Sequence, residues 1–361
     1  MIMNTLPFDP IQLMREHPEK MRIPGGLLTK HGPQDYVGSV PAVTGTLFFS
    51  DAHLSEVREA ICACFDEYQA IAKNQLTWLW RAEPPEGPDK MVYGKAKPLR
   101  EMIKRMSEND LVSFTYISGE KDHDASDWEF QVFGIRGWKA KMGTWGLCAL
   151  RFSMPILYVE ENPTAFQAMF VSFAHRLKAI HGYGGHGLVL SAVRLNDNQP
   201  FEAFLADKLN GLDVGHPVSG ATHAHEGIKT VSWLTAVNHE MIKKIGGLST
   251  IRSELPMDWF ALYDYGVGLV IQAGPKPEAA PVDADPKPAR LVLPNMLLKE
   301  VRAPKISVHY ASKNGEPRII GWAAEQWLKR FDISEDDLLS YKTKLLDEPK
   351  LTRETTLPNR L

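Results

Sequence analysis

Histidines two residues apart can share a metal, and His223-Ala-His225-Glu226 is the best such pair in this chain. On a strand, both imidazoles would lie on one face. His181, His186 and His216 could add ligands. However, residues 215–227 read as a polar loop, and no acidic or Cys partner stands at a fixed spacing. The expectation is solvated loop histidines and no metal. Gly182-Tyr-Gly-Gly-His-Gly187 has the glycine content of a phosphate cradle. It lacks the Gly-Lys-Ser/Thr ending, and it follows a helix where a cradle must precede one. It reads as a helix exit and tight turn. The third cluster is acidic: Glu120, Asp122, Asp124, Asp127 and Glu129 place five carboxylates in ten residues. With no Gly at the sharp-turn position they do not form a calcium loop. They read as the tip of a hairpin, either solvated or offered as an acidic probe to a basic partner surface. Cys62, Cys64 and Cys148 are an odd set; the first two point about 200° apart on a helix and cannot share a metal. They read as buried thiols. No Gly-x-Ser-x-Gly elbow, His-Glu-x-x-His helix or kinase signature occurs. No catalytic residue and no cofactor is expected.

The elements around these clusters are readable from hydrophobic spacing. Residues 47–71 align without gaps on 156–180. Each stretch reads as an apolar strand, an acidic turn and a helix. The helical stripes are Val57, Ala60, Ile61, Cys64, Tyr68, Ile71 and Phe166, Met169, Phe170, Phe173, Leu177, Ile180. Steps of three and four make one buried face. A strand is expected after each helix, at 76–81 and 187–194. The first half continues with a short helix at 98–107 and a hairpin, 111–118 with 128–137. The second continues with helix 201–210, strand 231–237, helix 239–245 and strand 259–273. Trp233 and Leu234 are expected in the core. This pattern predicts an α+β protein of two duplicated βαβ-containing halves, ferredoxin-like and split βαβ in type. Mostly antiparallel sheets would carry helices on one face, as two sheets or one merged sheet. The divisions are an N-terminal extension (1–40), a first half (41–145), a second half (146–310) and a charged helical C-terminal tail (311–361). The second half includes a Pro-rich extended segment at 274–290, followed by a short strand at 306–310.

Composition narrows the function. The chain has 361 residues, 44% of them apolar and 24% charged, and a formal net charge of −3. Nothing in that balance calls for nucleic acid or an anionic membrane as partner. There is no basic stretch followed by an apolar run at the start and no segment long enough to span a bilayer. The expected compartment is the cytoplasm.

Five segments carry a resemblance: Met154-Pro-Ile-Leu-Tyr158 with the helix to Ile180, Gly187–Val193, Trp233–Gly247, Gly268–Pro277 and Leu293–Arg302. In order and spacing the chain resembles bacterial type VI secretion immunity proteins, a family formerly known as a domain of unknown function. The resemblance covers roughly residues 40–310 and is strongest from Phe152 to Arg302. The turn at Val237-Asn-His239 and the tail after Ala311 depart from the family pattern. The resemblance implies a non-enzymatic protein that binds a cognate toxin effector and occludes its active site. Two rival classes are a modifier, enzymatic or metal-dependent, that reverses toxin damage, and a structural component of the secretion system.

Overall fold

The structure is a computed structural model and describes residues 10–29, 34–143, 146–312 and 314–361. Its centre is one antiparallel sheet of eleven strands. In chain order these are β1 (Ile23–Gly25), β2 (Gln34–Phe49), β3 (Trp78–Arg81), β4 (Lys90–Val92), β5 (Ser113–Ile117), β6 (Glu129–Phe133), β7 (Cys148–Met154), β8 (His181–Leu190), β9 (Leu234–Asn238), β10 (Phe260–Asp264) and β11 (Gly268–Ala273). The spatial order is β10-β11-β9-β8-β2-β7-β6-β5-β3-β4, with β1 also paired to β2. The long β2 is the spine: it pairs with β7 through Val43–Phe49 and with β8 through Ser39–Phe48.

Side chains on successive strand residues point to opposite faces, and here both faces are buried. One face carries Val43, Leu47 and Phe49 of β2, Leu150, Phe152 and Met154 of β7, and Phe130 and Val132 of β6. The helices Ser55–Ala72 and Ala165–Leu177 cover it with Ile61, Cys64, Tyr68, Phe166, Met169, Phe170, Phe173 and Leu177. These are largely the two stripes read from spacing. The other face is covered in two patches. Phe48, Ala149 and Tyr183 meet Ala221 and Ala224. Val237, Leu262, Leu269 and Ile271 meet Met241, Ile242, Leu291 and Val292. A third cluster packs helix on helix rather than on the sheet, with Ala203 and Ala206 against Trp327 and Leu328. The expectation of helices on a single face therefore fails. Strands β9 to β11 are too apolar on both sides to leave one side to water.

The duplicated split βαβ arrangement does not appear either. The chain leaves β2 through helix 55–72 and enters β3 near one end of the sheet, separated from β2 by β7, β6 and β5. It leaves β7 through helix 165–177 and enters β8, separated from β7 only by β2. The strand orders of the two halves differ, and one sheet runs through both. The matching 156–159 stretch is not a strand, because Ile156–Glu161 is a short helix. The strand ends at Met154, where Pro155 cannot donate to the ladder.

Other expectations shift locally. Gly182–Gly187 is not a helix exit but part of β8, paired with β2 throughout and with β9 as far as Gly184. A Cβ on Gly184 would sit 3.1 Å from Phe166 and 3.3 Å from Phe170, and one on Gly185 would sit 2.3 Å from Ser232 Oγ. Glycine lets the helix and the 232 segment lie directly on the sheet. The expected strand 259–273 is the β10–β11 hairpin, and no strand occupies 306–310. The 311–361 tail folds back onto the core. Trp327, Leu328, Phe331 and Leu345 are buried, and Leu361 N–H donates to Leu262 O along the β10 edge. No described helix is long and apolar enough to cross a membrane.

Candidate interaction site

The β5–β6 hairpin does place the acidic loop at its tip, but the loop is mostly turned inward. Glu120 is the exposed member, 75% accessible and paired with Arg22 at 2.6 Å. Asp122 is 18% accessible, bonded to Lys90 and, at 2.5 Å, to His123 Nδ1. Its carboxyl is held below the usual range first by the Lys90 hydrogen bond. Asp124 is buried and accepts the backbone N–H of Val37 and of Lys121, each at 2.9 Å. It splices the loop to β2. Burial raises the pKa of Asp127. Glu129 lies on β6 facing Arg151 at 3.9 Å, too far for a hydrogen bond, and burial raises its pKa too. The five carboxylates therefore do not form one projecting charge cluster.

The loop instead forms one wall of a cleft. Its other wall is the turn after β8, and Ser191 Oγ ties the two by donating to His123 O at 2.6 Å. The cleft is about 640 Å3 and is lined by Trp80, Lys90, Asp122, His123, Arg194 and Tyr310, among others. Trp80 Nε1 donates to Asp122 O at 2.6 Å, which holds the indole against the loop. Lys90 lies over the Trp80 ring and Arg194 over Tyr36. Val193 and Tyr310 are exposed large side chains at this rim. His309 N–H donates to Ile319 O, so the segment bearing Tyr310 runs beside the one bearing Ile320 and Trp322. Ile320 is exposed, and Trp322 is 74% accessible. Aromatic rings and Arg around a mixed-charge cleft suit protein recognition.

Apart from Asp122, these residues were not singled out from the sequence. Trp322 had a signal: Ala324, Trp327, Leu328 and Phe331 follow helical spacing, and Trp322 falls off that stripe. Val193, Arg194 and Tyr310 had none, because only the tertiary fold brings them beside the hairpin.

The histidines are dispersed. His223 bonds Glu226 at 3.1 Å on a turn, and His225 is exposed nearby. His181 Nε2 donates to Ala224 O at 2.7 Å. Burial pushes His181 and His186 down to about 4 and His216 to about 3. Among the described residues, no group of three His, Cys, Asp or Glu could hold a metal ion. Cys62, Cys64 and Cys148 are buried free thiols whose pKa burial raises.

Known proteins resemble the chain as a whole. No curated protein matches it. Among solved structures it is similar to the Pseudomonas aeruginosa T6SS protein PA0821, at 44% sequence identity and a TM-score of 0.91. That alignment covers 98% of this chain and 100% of the other. The family model TsiV, described as type VI immunity for VRR-NUC, matches residues 60–331. With that match over more than half its length, this chain belongs to the TsiV family of type VI immunity proteins.

Proposed function

We propose that this protein protects by binding a cognate VRR-NUC toxin effector in the cytoplasm and occluding the toxin's active site, with no catalysis of its own. The observation that carries this reading is exposed Val193 and Tyr310 on the rim of the Trp80–Arg194 cleft, with exposed Ile320 and Trp322 on the segment hydrogen-bonded beside Tyr310. Tyr, Trp and Arg are the residue types that most often anchor a specific interface. A stable complex needs about 800 Å2 from each partner, so contact must extend well beyond the cleft. Of the acidic loop, Glu120 and Asp122 contribute charge to the partner. Asp124 acts by holding the loop in shape, and the inward-turned Asp127 and Glu129 do not reach the partner.

Titrating the purified toxin with this protein tests the reading. Occlusion predicts that toxin activity ends at about one equivalent, with the end point independent of incubation time. Protection by substoichiometric amounts would instead mark an enzyme. Tyr310→Ala with Trp322→Ala should weaken binding at least tenfold while leaving the urea midpoint unchanged, since both side chains are exposed. Unaltered affinity would remove this face from the interface.

A further inference from the structure

Among the described residues the sheet ends at β4, whose outer edge pairs with no further strand, and the two faces of that edge differ. Trp80 and Lys90 look into the cleft described above; their neighbours Arg81 and Met91 look the other way, into a second cavity of about 250 Å3. Its floor is apolar and adaptable: Met91, Met102, Met106 and Phe114. Its mouth is cationic. Arg81, Lys95, Lys97 and Arg105 line it against a single lining carboxylate, Glu86. Arg105 is partly neutralised by Glu86 and Glu101, and Lys97 by Glu101. Arg81 is held in place by donating to Pro88 O at 2.5 Å, and its Nε is buried without a hydrogen-bond partner.

We infer that this cavity receives an apolar side chain flanked by carboxylates, presented by an acidic segment of the protein partner. The methionine floor takes the apolar group, and Arg81 and Lys95 meet the carboxylates. Its position across the β4 edge from the cleft lets one partner grip both faces of the edge. The inference rests on the reading that the protein acts by binding another protein, but its test uses no toxin.

The full-length protein, labelled at its methionine methyl groups, is titrated with a hexapeptide of alternating Glu and Phe. Controls are a Lys–Phe peptide and free 3-phenylpropionate. Shifts of the Met91, Met102 and Met106 methyls with the acidic peptide alone, at least tenfold weaker in Lys95→Glu/Arg105→Glu and weakened by salt, support the proposal. Equal response to 3-phenylpropionate, with none from the peptide, overturns it in favour of a small-molecule site. Absence of methyl shifts, or shifts unchanged in the double variant, overturns it outright. Failure here would leave the Tyr310/Trp322 result standing, so the two readings fail separately.

Discussion

At the scale of single residues, the acidic loop shows how position decides what a carboxylate does. Asp122 and Asp124 are two residues apart. One sits in a partly solvated charge pair, and the other is buried and caps two backbone donors. Exposed pairs contribute little, whereas a buried acceptor satisfying two N–H groups costs about 1–3 kcal/mol when compromised. Asp124→Asn is therefore expected to lower unfolding stability by about 1–3 kcal/mol, and Asp122→Asn by less than about 1 kcal/mol. Urea denaturation of both variants checks this, and equal effects would contradict it. Two buried histidines and one half-buried histidine set a pH dependence. A free imidazole titrates near 6.5, and those of His181, His186 and His216 resist protonation until about 4 or below. Below pH 6.5 the unfolded chain binds more protons, so their contribution is intact above 6.5 and is lost as pH falls towards 4. Asp127 and Glu129 are shifted upward, protonate first in the folded state, and offset part of that loss. The urea midpoint should fall between pH 6.5 and 4, and less steeply in His181→Gln. A flat profile would mean the imidazoles are not held neutral.

Elements behave as packing units rather than as local preferences. The glycines of β8 are poor strand formers by propensity, yet the segment is the strand between β2 and β9. Phe166 and Phe170 need the space a side chain at 184 would take. Gly184→Ala should cost about 1–3 kcal/mol through overpacking. Gly94→Ala, with nothing within 4 Å of the new Cβ, serves as the near-neutral control. Comparable melting temperatures for the two variants would refute the close-approach argument. Just before β9, Trp233 is buried against Phe166, with its indole N–H on Gly274 O at 3.1 Å. Trp233→Ala should cost about 3–5 kcal/mol. Lost protection with an unchanged melting temperature would instead place Trp233 in the interface.

On the scale of the whole molecule, the sheet has two ends and treats them differently. At β10 the last residues lie along the strand: Leu351 N–H donates to Asp258 O, Leu361 N–H to Leu262 O, and Leu357 N–H to Tyr263 OH. Gln272, inside the sheet, donates to Thr355 O at 2.8 Å. A bare strand edge is a template for pairing with other chains, and this tail covers one. Removing residues 349–361 should lower the melting temperature and produce concentration-dependent self-association, measurable by light scattering. A truncated protein that stays monomeric and equally stable would show that the tail does not protect the edge. Among the described residues no strand pairs with the outer edge of β4, and both the cleft and the cationic cavity lie beside that edge.

Hydrophobic spacing alone determined the two long helices, because a face of Ile61, Cys64 and Tyr68, or of Phe166, Phe170 and Phe173, can be satisfied only by burial. It also determined the β5–β6 hairpin and the core position of Trp233. The order of quoted segments, 154–180 through 293–302, carried the family resemblance that the TsiV match then established. Tertiary structure alone decided the rest. Strand order depends on which edges meet, and a 25-residue match says nothing about where the returning strand docks. Burial of Asp124 and Glu129 depends on β2 and β7, more than 20 residues away from each. The candidate face joins Trp80, Asp122, Arg194 and Tyr310 across 230 positions of sequence. No local pattern encodes such a meeting, because it exists only once a single sheet has drawn both halves of the chain together.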